Sequence, residues 1–486
     1  MKPHHYLAVD LGADSGRTIA GTIENSRLTL TETHRFTNGP VRLNDGIHWD
    51  VLKLWSDIKT GMGISSSKFN HQFESLGLDA WGVDFALLDK NNSLLSNPFH
   101  YRDARTDGML EEAFKIIPRE EIFSKTGIQF MQINTLYQLL AMVREKSPLL
   151  DAARTLVTIP DLFNFWLTGE LTTEFTNATT TQCFDPVTRG WAIPLLERLN
   201  IPEHLFLPIS EPGTILGRLA PKDIQLSENK TPLVVLPACH DTGSAVVAVP
   251  AKNEDFVWLS SGTWSIMGVE TGAPYVDERA LAYNLTNEGG VFGRWRLSKN
   301  ITGLWLVQEC KREWNVSYEE ITRMAAEACP FLAVIDPDAE AFLHLGSMPQ
   351  KIQGFCAERN QSVPQTRGEI VRVALESLAL KYRLVLERLE TLTGKHLTPL
   401  HIFGGGTKNR LLSQFTADCL GRPVVTGPVE ATAIGNILMQ AIALGHLGSL
   451  AEARALVRNS FDVETFLPGE STGWDDAFQK LIQVTK

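Results

Sequence analysis

The chain has 486 residues, 43% apolar and 21% charged, the mix of an ordinary water-soluble globular protein. That length exceeds what one hydrophobic core usually serves, so two domains are expected. A formal net charge of −11 argues against a nucleic-acid backbone as the main partner, and no apolar run reaches the ~20 residues needed to span a bilayer.

The opening stretch, Met1 to Gly12, lacks the apolar core of a secretory signal. Tyr6–Gly12, Arg17–Glu24 and Leu28–Phe36 read as three strands, the first two joined by a tight glycine turn. Val51, Leu54, Trp55, Ile58 and Met62 recur at helical spacing and predict an amphipathic helix. Leu76–Trp81 and Val83–Leu88 return to a strand pattern around Gly82. Residues 110–170 read as helical in pieces, with Leu136, Leu139, Leu140 and Val143 on one face. Leu233–Leu236 is a short buried strand running into Cys239-His240-Asp241-Thr242-Gly243, and Thr242–Val249 starts a helix.

Phe256 opens a second cycle. Val257–Glu270 is strand, hydroxyl–glycine turn, strand, an echo of Ala8–Ile23 and a sign of internal duplication. Residues 247–256 are the expected connection, dividing the chain into domains 1–248 and 256–486. Val371, Ala374, Leu375, Leu378, Tyr382, Val385 and Leu389 share one face of a long helix that stops near Thr393-Gly394. Pro399–Gly406 is the next buried strand and Asn409–Leu420 the next helix, while Glu430–Leu444 is a small-residue helix suited to close packing. Six scattered cysteines form no CxxC pair and no Cys/His zinc spacing, as in a reduced cytoplasmic protein.

The glycine turns carry the candidate chemistry, because such turns present backbone N–H groups to phosphate. Asp10 stands where the first strand meets its turn. A carboxylate there orients Mg²⁺ or its waters, or simply bonds the turn's own N–H groups. Ser15, Gly16 and Arg17 just beyond it favour the first reading, with Arg17 as a phosphate clamp. Asp241 lies at a strand-to-helix junction, suited to a base that takes the proton of an alcohol during phosphoryl transfer. The same position also suits a helix N-cap. Thr263 offers a hydroxyl to a terminal phosphate, unless Ser260–Trp264 is a plain hairpin turn. Gly404-Gly405-Gly406 offers a backbone platform for a flat ligand and is not a Walker A loop, since no Gly-Lys-Ser/Thr follows. Trp81-Gly82-Val83-Asp84 and Tyr101-Arg102-Asp103 combine aromatic faces with charged groups, as sugar sites do, or form a core tryptophan and a surface ion pair. Asn300 and Gln308 are ligands or satisfied core amides.

Together these motifs resemble the FGGY carbohydrate kinases over nearly the whole chain. The family's first phosphate turn is matched by Asp10–Arg17, its sugar-binding turn by Trp81–Phe85 and its catalytic aspartate by Asp241. His240, with the strings Tyr101–Thr106, Thr176–Gln182 and Asn284–Gly290, is similar to the members that act on L-rhamnulose. The resemblance implies an α/β, two-domain hexokinase/actin-like ATPase (ribonuclease H-like) fold with the active site in the interdomain cleft. It implies phosphorylation of L-rhamnulose at O1 in L-rhamnose catabolism, with ATP as co-substrate and Mg²⁺ held by Asp10 through water. By carry-over, Ala13, Asp14, Ser15, Gly16, Arg17, Thr263, Gln308 and Gly405 contact ATP. Gly82, His240, Asp241, Thr242 and Asn300 contact the sugar. The competing readings are another ketose kinase of the family, an L-fuculokinase or xylulokinase, and a non-kinase actin-like ATPase. His240 and Thr176–Gln182 argue against the first. The expected enzyme is cytoplasmic, without nucleic-acid or membrane partners, and a monomer or weak homodimer.

Overall fold

The computed structural model describes residues 2–220, 226, 231–343, 346–469 and 472–485. The chain gathers into two units, neither of them one continuous segment. The first comprises Met1–Pro250, Glu270–Leu297 and Ala431–Ser460; the second comprises Ala251–Val269, Ser298–Glu430 and Phe461–Lys486.

The first unit is built on a six-stranded sheet of β1 (His4–Leu11), β2 (Ser15–Glu24), β3 (Arg27–Thr37), β4 (Phe73–Ala80), β5 (Ile215–Arg218) and β6 (Leu233–Val235), in the order β5-β6-β4-β1-β2-β3. β1 pairs antiparallel with β2 and parallel with β4; β4 pairs parallel with β6, and β5 closes that edge antiparallel. Helices cover both faces of β1, so its sequence is a continuous apolar run, in which the buried Asp10 is the exception. Helix α1 (Val51–Lys68) starts on Asp50, whose side chain accepts from Lys53 N, and turns Val51, Leu54, Ile58 and Met62 into the core. Trp55, expected on that face, is only half-buried.

After β6 the chain enters helix α2 (Asp241–Val247), and much later helix α3 (Ala431–Ala443) lies against it. The approach is close: a methyl group at Gly435 would fall 1.8 Å from the Ser244 carbonyl oxygen. Two amides of α3 reach the sheet. Asn436 Nδ2 donates to Asp79 Oδ2 at 2.6 Å, and Gln440 Nε2 donates to the Leu7 carbonyl at 3.0 Å. The sequence suggested two contiguous domains, 1–248 and 256–486. The structure instead leaves the first unit between Pro250 and Ala251 and returns to it twice. The glycine and buried amides of α3 pack on and bond to residues of that unit.

The second unit repeats the scheme. Its sheet has seven strands: Thr286–Gly289 at one edge, then β7 (Val257–Ser261), β8 (Trp264–Thr271), β9 (Trp295–Thr302), β10 (Leu400–Phe403), β11 (Val424–Thr426) and β12 (Glu464–Phe466) in the order β9-β8-β7-β10-β11-β12. Of these, Glu270–Thr271, Thr286–Gly289 and Trp295–Leu297 are counted in the first unit's segments. Pairing from β8 to β12 is antiparallel, parallel, parallel, antiparallel, the same as from β2 through β1, β4 and β6 to β5. The echo between the two hairpins therefore extends to a shared five-strand pairing pattern. The long helix Arg367–Thr393 starts on a Thr366/Glu369 capping box and ends on Gly394 at φ 67°, the left-handed stop that favours glycine. All six cysteines are free, and five are buried. Among the described residues, no helix is long and apolar enough to cross a membrane.

Candidate active site

In the β1–β2 hairpin, Gly12 N donates to Ser15 O at 2.9 Å and closes the turn. Asn38, which the sequence did not single out, holds it from outside: its Nδ2 donates to Gly12 O at 2.8 Å and its backbone N donates to Asp14 O. Ala13, Asp14, Ser15 and Gly16 thus form a braced loop. Gly16 has a packing reason as well, since a methyl there would meet the Phe36 ring at 2.2 Å. Asp10 and Arg17 are directly opposite in the β1–β2 register, and the Arg17 guanidinium donates to Asp10 Oδ2.

Across β1 on the other side, Asp10 is opposite Asp79 of β4. Burial, and then the Asp10 charge, push the Asp79 carboxyl well above the ordinary carboxylate range; Asp241 pushes the same way. Asp10, Asp79 and Asp241 are hard oxygen donors of the kind Mg²⁺ takes. Asp79 is engaged by Asn436. Asp10 and Asp241 are the members suited to an ion, Asp10 through water because Arg17 already holds it.

Asp241 is the first helical residue of α2, and the N-cap position belongs to His240. The capping reading of Asp241 is therefore replaced. Its Oδ1 accepts from the backbone N and, at 3.1 Å, the hydroxyl of Thr242, and the side chain stays 32% exposed. His240 is fixed beside it. Its backbone N donates to Thr176 Oγ1 at 3.1 Å. Its Nδ1 lies 3.0 Å from Arg296 Nη2 and 3.2 Å from Glu288 Oε2, and its Nε2 lies 3.5 Å from Asp241 Oδ1. Arg296 and Glu288 both reach Nδ1, which leaves Nε2 as the nitrogen that faces Asp241. Arg296 also binds Glu288 at 3.1 Å and donates from Nε to Gly289 O at 2.8 Å. Burial opposes the charge on Glu288, but Arg296 and His240 outweigh it and hold the carboxyl down at about 2.

Gly82 passes so near Thr180 that a methyl group would meet the threonine side chain at 2.9 Å. Val83 has φ 68°, a left-handed conformation costly for a β-branched residue. Its N–H donates to Thr180 Oγ1, and its carbonyl accepts from Thr135 Oγ1 and Gln138 Nε2. No motif around Val83 marks this strain in advance. The sequence left Trp81–Asp84 open between a sugar-binding turn and a core tryptophan with an ion pair. Asp84 is fully buried and accepts from Trp49 Nε1 at 2.6 Å, Trp81 Nε1 at 3.0 Å and Gln138 Nε2 at 3.0 Å. Asp103 is likewise spent on backbone, accepting from Ile47 N and Arg105 N. The Thr176–Gln182 string, specific in sequence but without an evident task, supplies the joints. Thr176 holds His240, Thr180 holds Val83, and Thr179 Oγ1 accepts from Gly289 N at 2.8 Å.

In the second unit, Thr263 sits in the β7–β8 turn, where Gly262 N donates to Trp264 O and Trp305 N donates to Thr263 O. Asn300 is on β9, and Gln308 is on the helix Trp305–Trp314; both are half-buried. The triple glycine is not one uniform platform. A methyl at Gly406 would meet Ser261 Oγ at 2.0 Å, and Gly404 lies against the Ser261 carbonyl, whereas a methyl at Gly405 would meet nothing. Close packing on β7 explains two of the glycines, and Gly405 alone faces open space.

Residues 5–248 match the N-terminal domain, and residues 257–444 the C-terminal domain, of the FGGY family of carbohydrate kinases. The chain belongs to that family. Rhamnulokinase of Oceanobacillus iheyensis is 42% identical to it over 462 residues, 95% of this chain and 97% of the relative. Rhamnulokinase of Bacteroides thetaiotaomicron is 42% identical over 475 residues, 98% of each. Among solved structures, gluconate kinase from Lactobacillus acidophilus superposes with a TM-score of 0.82 at 16% identity, covering 99% of this chain and 97% of that one. Xylulose kinase from the same organism gives 0.80 at 16%, covering 99% and 96%. At such identities these structures establish the fold alone, and it is the expected two-domain α/β fold of sugar kinases.

Proposed function

We propose that this chain transfers the γ-phosphoryl group of ATP to O1 of L-rhamnulose. The observation that carries the reading is the pairing of an accessible Asp241 carboxylate with a His240 ring fixed beside it by Glu288 and Arg296, in a chain 42% identical to rhamnulokinases over nearly its whole length. Asp241 accepts the O1 proton as the oxygen attacks phosphorus, and the bond to the ADP oxygen breaks. Thr242 holds the carboxylate in place, and His240 contacts the sugar beside the base. Gly82 and Asn300 supply further sugar contacts. The braced loop Ala13–Arg17 serves the nucleotide phosphates, as do Thr263, Gln308 and Gly405 from their own unit. Asp10 would hold Mg²⁺ through water, and the ion would neutralise phosphate charge.

The test compares kcat/KM for L-rhamnulose, L-fuculose, D-xylulose and glycerol at fixed MgATP. A polar site penalises a wrong sugar because its own groups are left unpaired, roughly 5- to 150-fold per lost buried hydrogen bond. L-Rhamnulose is expected to lead and L-fuculose to be slow. A lead for D-xylulose or glycerol overturns the substrate and leaves the kinase class standing.

A further inference from the structure

Three residues remote in sequence meet at the end of the first unit's sheet opposite the hairpin turn. His4 opens β1, Glu74 is the second residue of β4, and His446 follows α3. His4 Nδ1 lies 2.7 Å from Glu74 Oε1, and His446 Nε2 lies 3.7 Å from Glu74 Oε2. The two imidazole rings stand 3.9 Å apart, centroid to centroid. One ligand atom from each residue lies within 4.8 Å of both others. A tetrahedral site with Zn–N bonds of about 2.0 Å has edges of about 3.3 Å, so the two edges to the Glu74 carboxylate need shifts of roughly half an ångström, and the edge between the imidazole nitrogens closes from within 4.8 Å.

The surroundings favour a metal over a plain histidine–carboxylate pair. The Tyr6 hydroxyl lies 2.5 Å from His446 Nδ1. When Nδ1–H donates to that oxygen, the lone pair of Nε2 faces Glu74. Ligating histidines are characteristically held through their second nitrogen in this manner. Strand alternation sends the neighbouring His5 to the other face, where its Nδ1 meets Thr22 Oγ1 at 2.9 Å, so it does not crowd the group. Glu74 is the exposed member, which leaves a side open to water as a fourth ligand.

We propose that His4, Glu74 and His446 bind a borderline-soft divalent cation, Zn²⁺ in the first instance, clasping the start of β1 to the loop after α3. Two imidazoles and one carboxylate suit Zn²⁺, Ni²⁺ or Cu²⁺ far better than Mg²⁺, which prefers an all-oxygen shell. The site is separate from the catalytic carboxylates, since Asp10 lies about 20 Å further along the same strand.

The experiment is calorimetric titration of untagged, chelator-stripped full-length protein with ZnCl₂, alongside thermal unfolding with and without Zn²⁺. The parent is expected to bind about one Zn²⁺ tightly and to unfold at a higher temperature with it. His446→Ala, His4→Ala and Glu74→Gln are each expected to weaken that binding roughly tenfold or more and to abolish the thermal shift, with Tyr6→Phe intermediate. Millimolar Mg²⁺ should not displace the ion. Three independent ligand variants guard against one that misfolds. Equal Zn²⁺ binding by the parent and by any correctly folded ligand variant overturns the proposal, as does displacement by Mg²⁺.

Discussion

Replacing Glu288 by Gln keeps the shape of the buried Arg296–Glu288–His240 group and removes its negative charge. Glu288 is held at about 2 against an ordinary 4.5, a difference worth about 3 kcal/mol to the folded state. That agrees with the roughly 3–5 kcal/mol lost when one partner of a buried ion pair is removed and the other stays charged. Urea unfolding at pH 7 should therefore show a loss on the order of 3 kcal/mol. A depressed folded-state value means that the contribution is fully present above about pH 4.5 and fades as pH falls toward 2, so parent and variant should converge in acid. His240 also loses its anchor, and kcat/KM for the sugar should fall roughly 5- to 150-fold, mostly through KM. A double variant with Met at both 288 and 296 should regain much of the stability, because no buried charge is left unpaired, but not the sugar affinity. An unchanged urea midpoint in Glu288→Gln at pH 7 refutes the reasoning, as does a double variant no more stable than the single.

Asp241→Asn should lower kcat by ~10²-fold or more while sugar binding survives, and near-normal turnover in a coupled ADP-release assay would remove Asp241 as the base. Asp10→Ala and Thr263→Val should each cripple turnover in a folded protein, the Asp10 variant with an altered Mg²⁺ dependence; parental Mg²⁺ and ATP titrations in both would dispose of the two-hairpin reading. Burial pushes Asp84, Asp161 and Glu174 up to about 6, 7 and 8. Raised acids stabilise below their unfolded values near 4 and lose that contribution as pH rises through the folded ones, so unfolding free energy should drop between pH 5 and 9 by on the order of 1 kcal/mol or more. Glu174→Gln should flatten that slope, and a parent equally stable at both pH values would contradict it.

The hairpins and the long helix were legible because each leaves a local signature: an apolar run ending in glycine, a 3.6-residue period, a glycine stop. Asp10, His240 and Asp241 stood out for a related reason, being polar residues where apolar strands end. Asp84 stayed ambiguous because a carboxylate three residues after a tryptophan looks the same in sequence whether indole N–H groups or a sugar hydroxyl will use it, and its second indole partner, Trp49, is remote in the chain. Val83, Asn38 and Asp79 were missed because their roles rest on a backbone angle, a turn brace and a cross-strand neighbour. Glu288 and Arg296 lay near or within noticed strings, but only folding brings them onto a histidine roughly fifty residues earlier. The return of Ala431–Ser460 to the first unit escaped for the same cause, although the small-residue face of α3 was visible.

That return sets a timetable for the newborn chain. A ribosome that has released residues 1–250 has delivered every motif of the first sheet, yet Ser244 still lacks the glycine that packs on it, and the Leu7 carbonyl and Asp79 lack the amides of α3. The whole second unit's Ser298–Glu430 segment must be made before those partners emerge. At about 5–20 residues per second, the half-covered sheet waits on the order of ten seconds or more with apolar surface showing. Truncation before residue 431 should accordingly yield a sticky, chaperone-dependent fragment, and its solubility should improve when a peptide spanning 431–460 is supplied in trans.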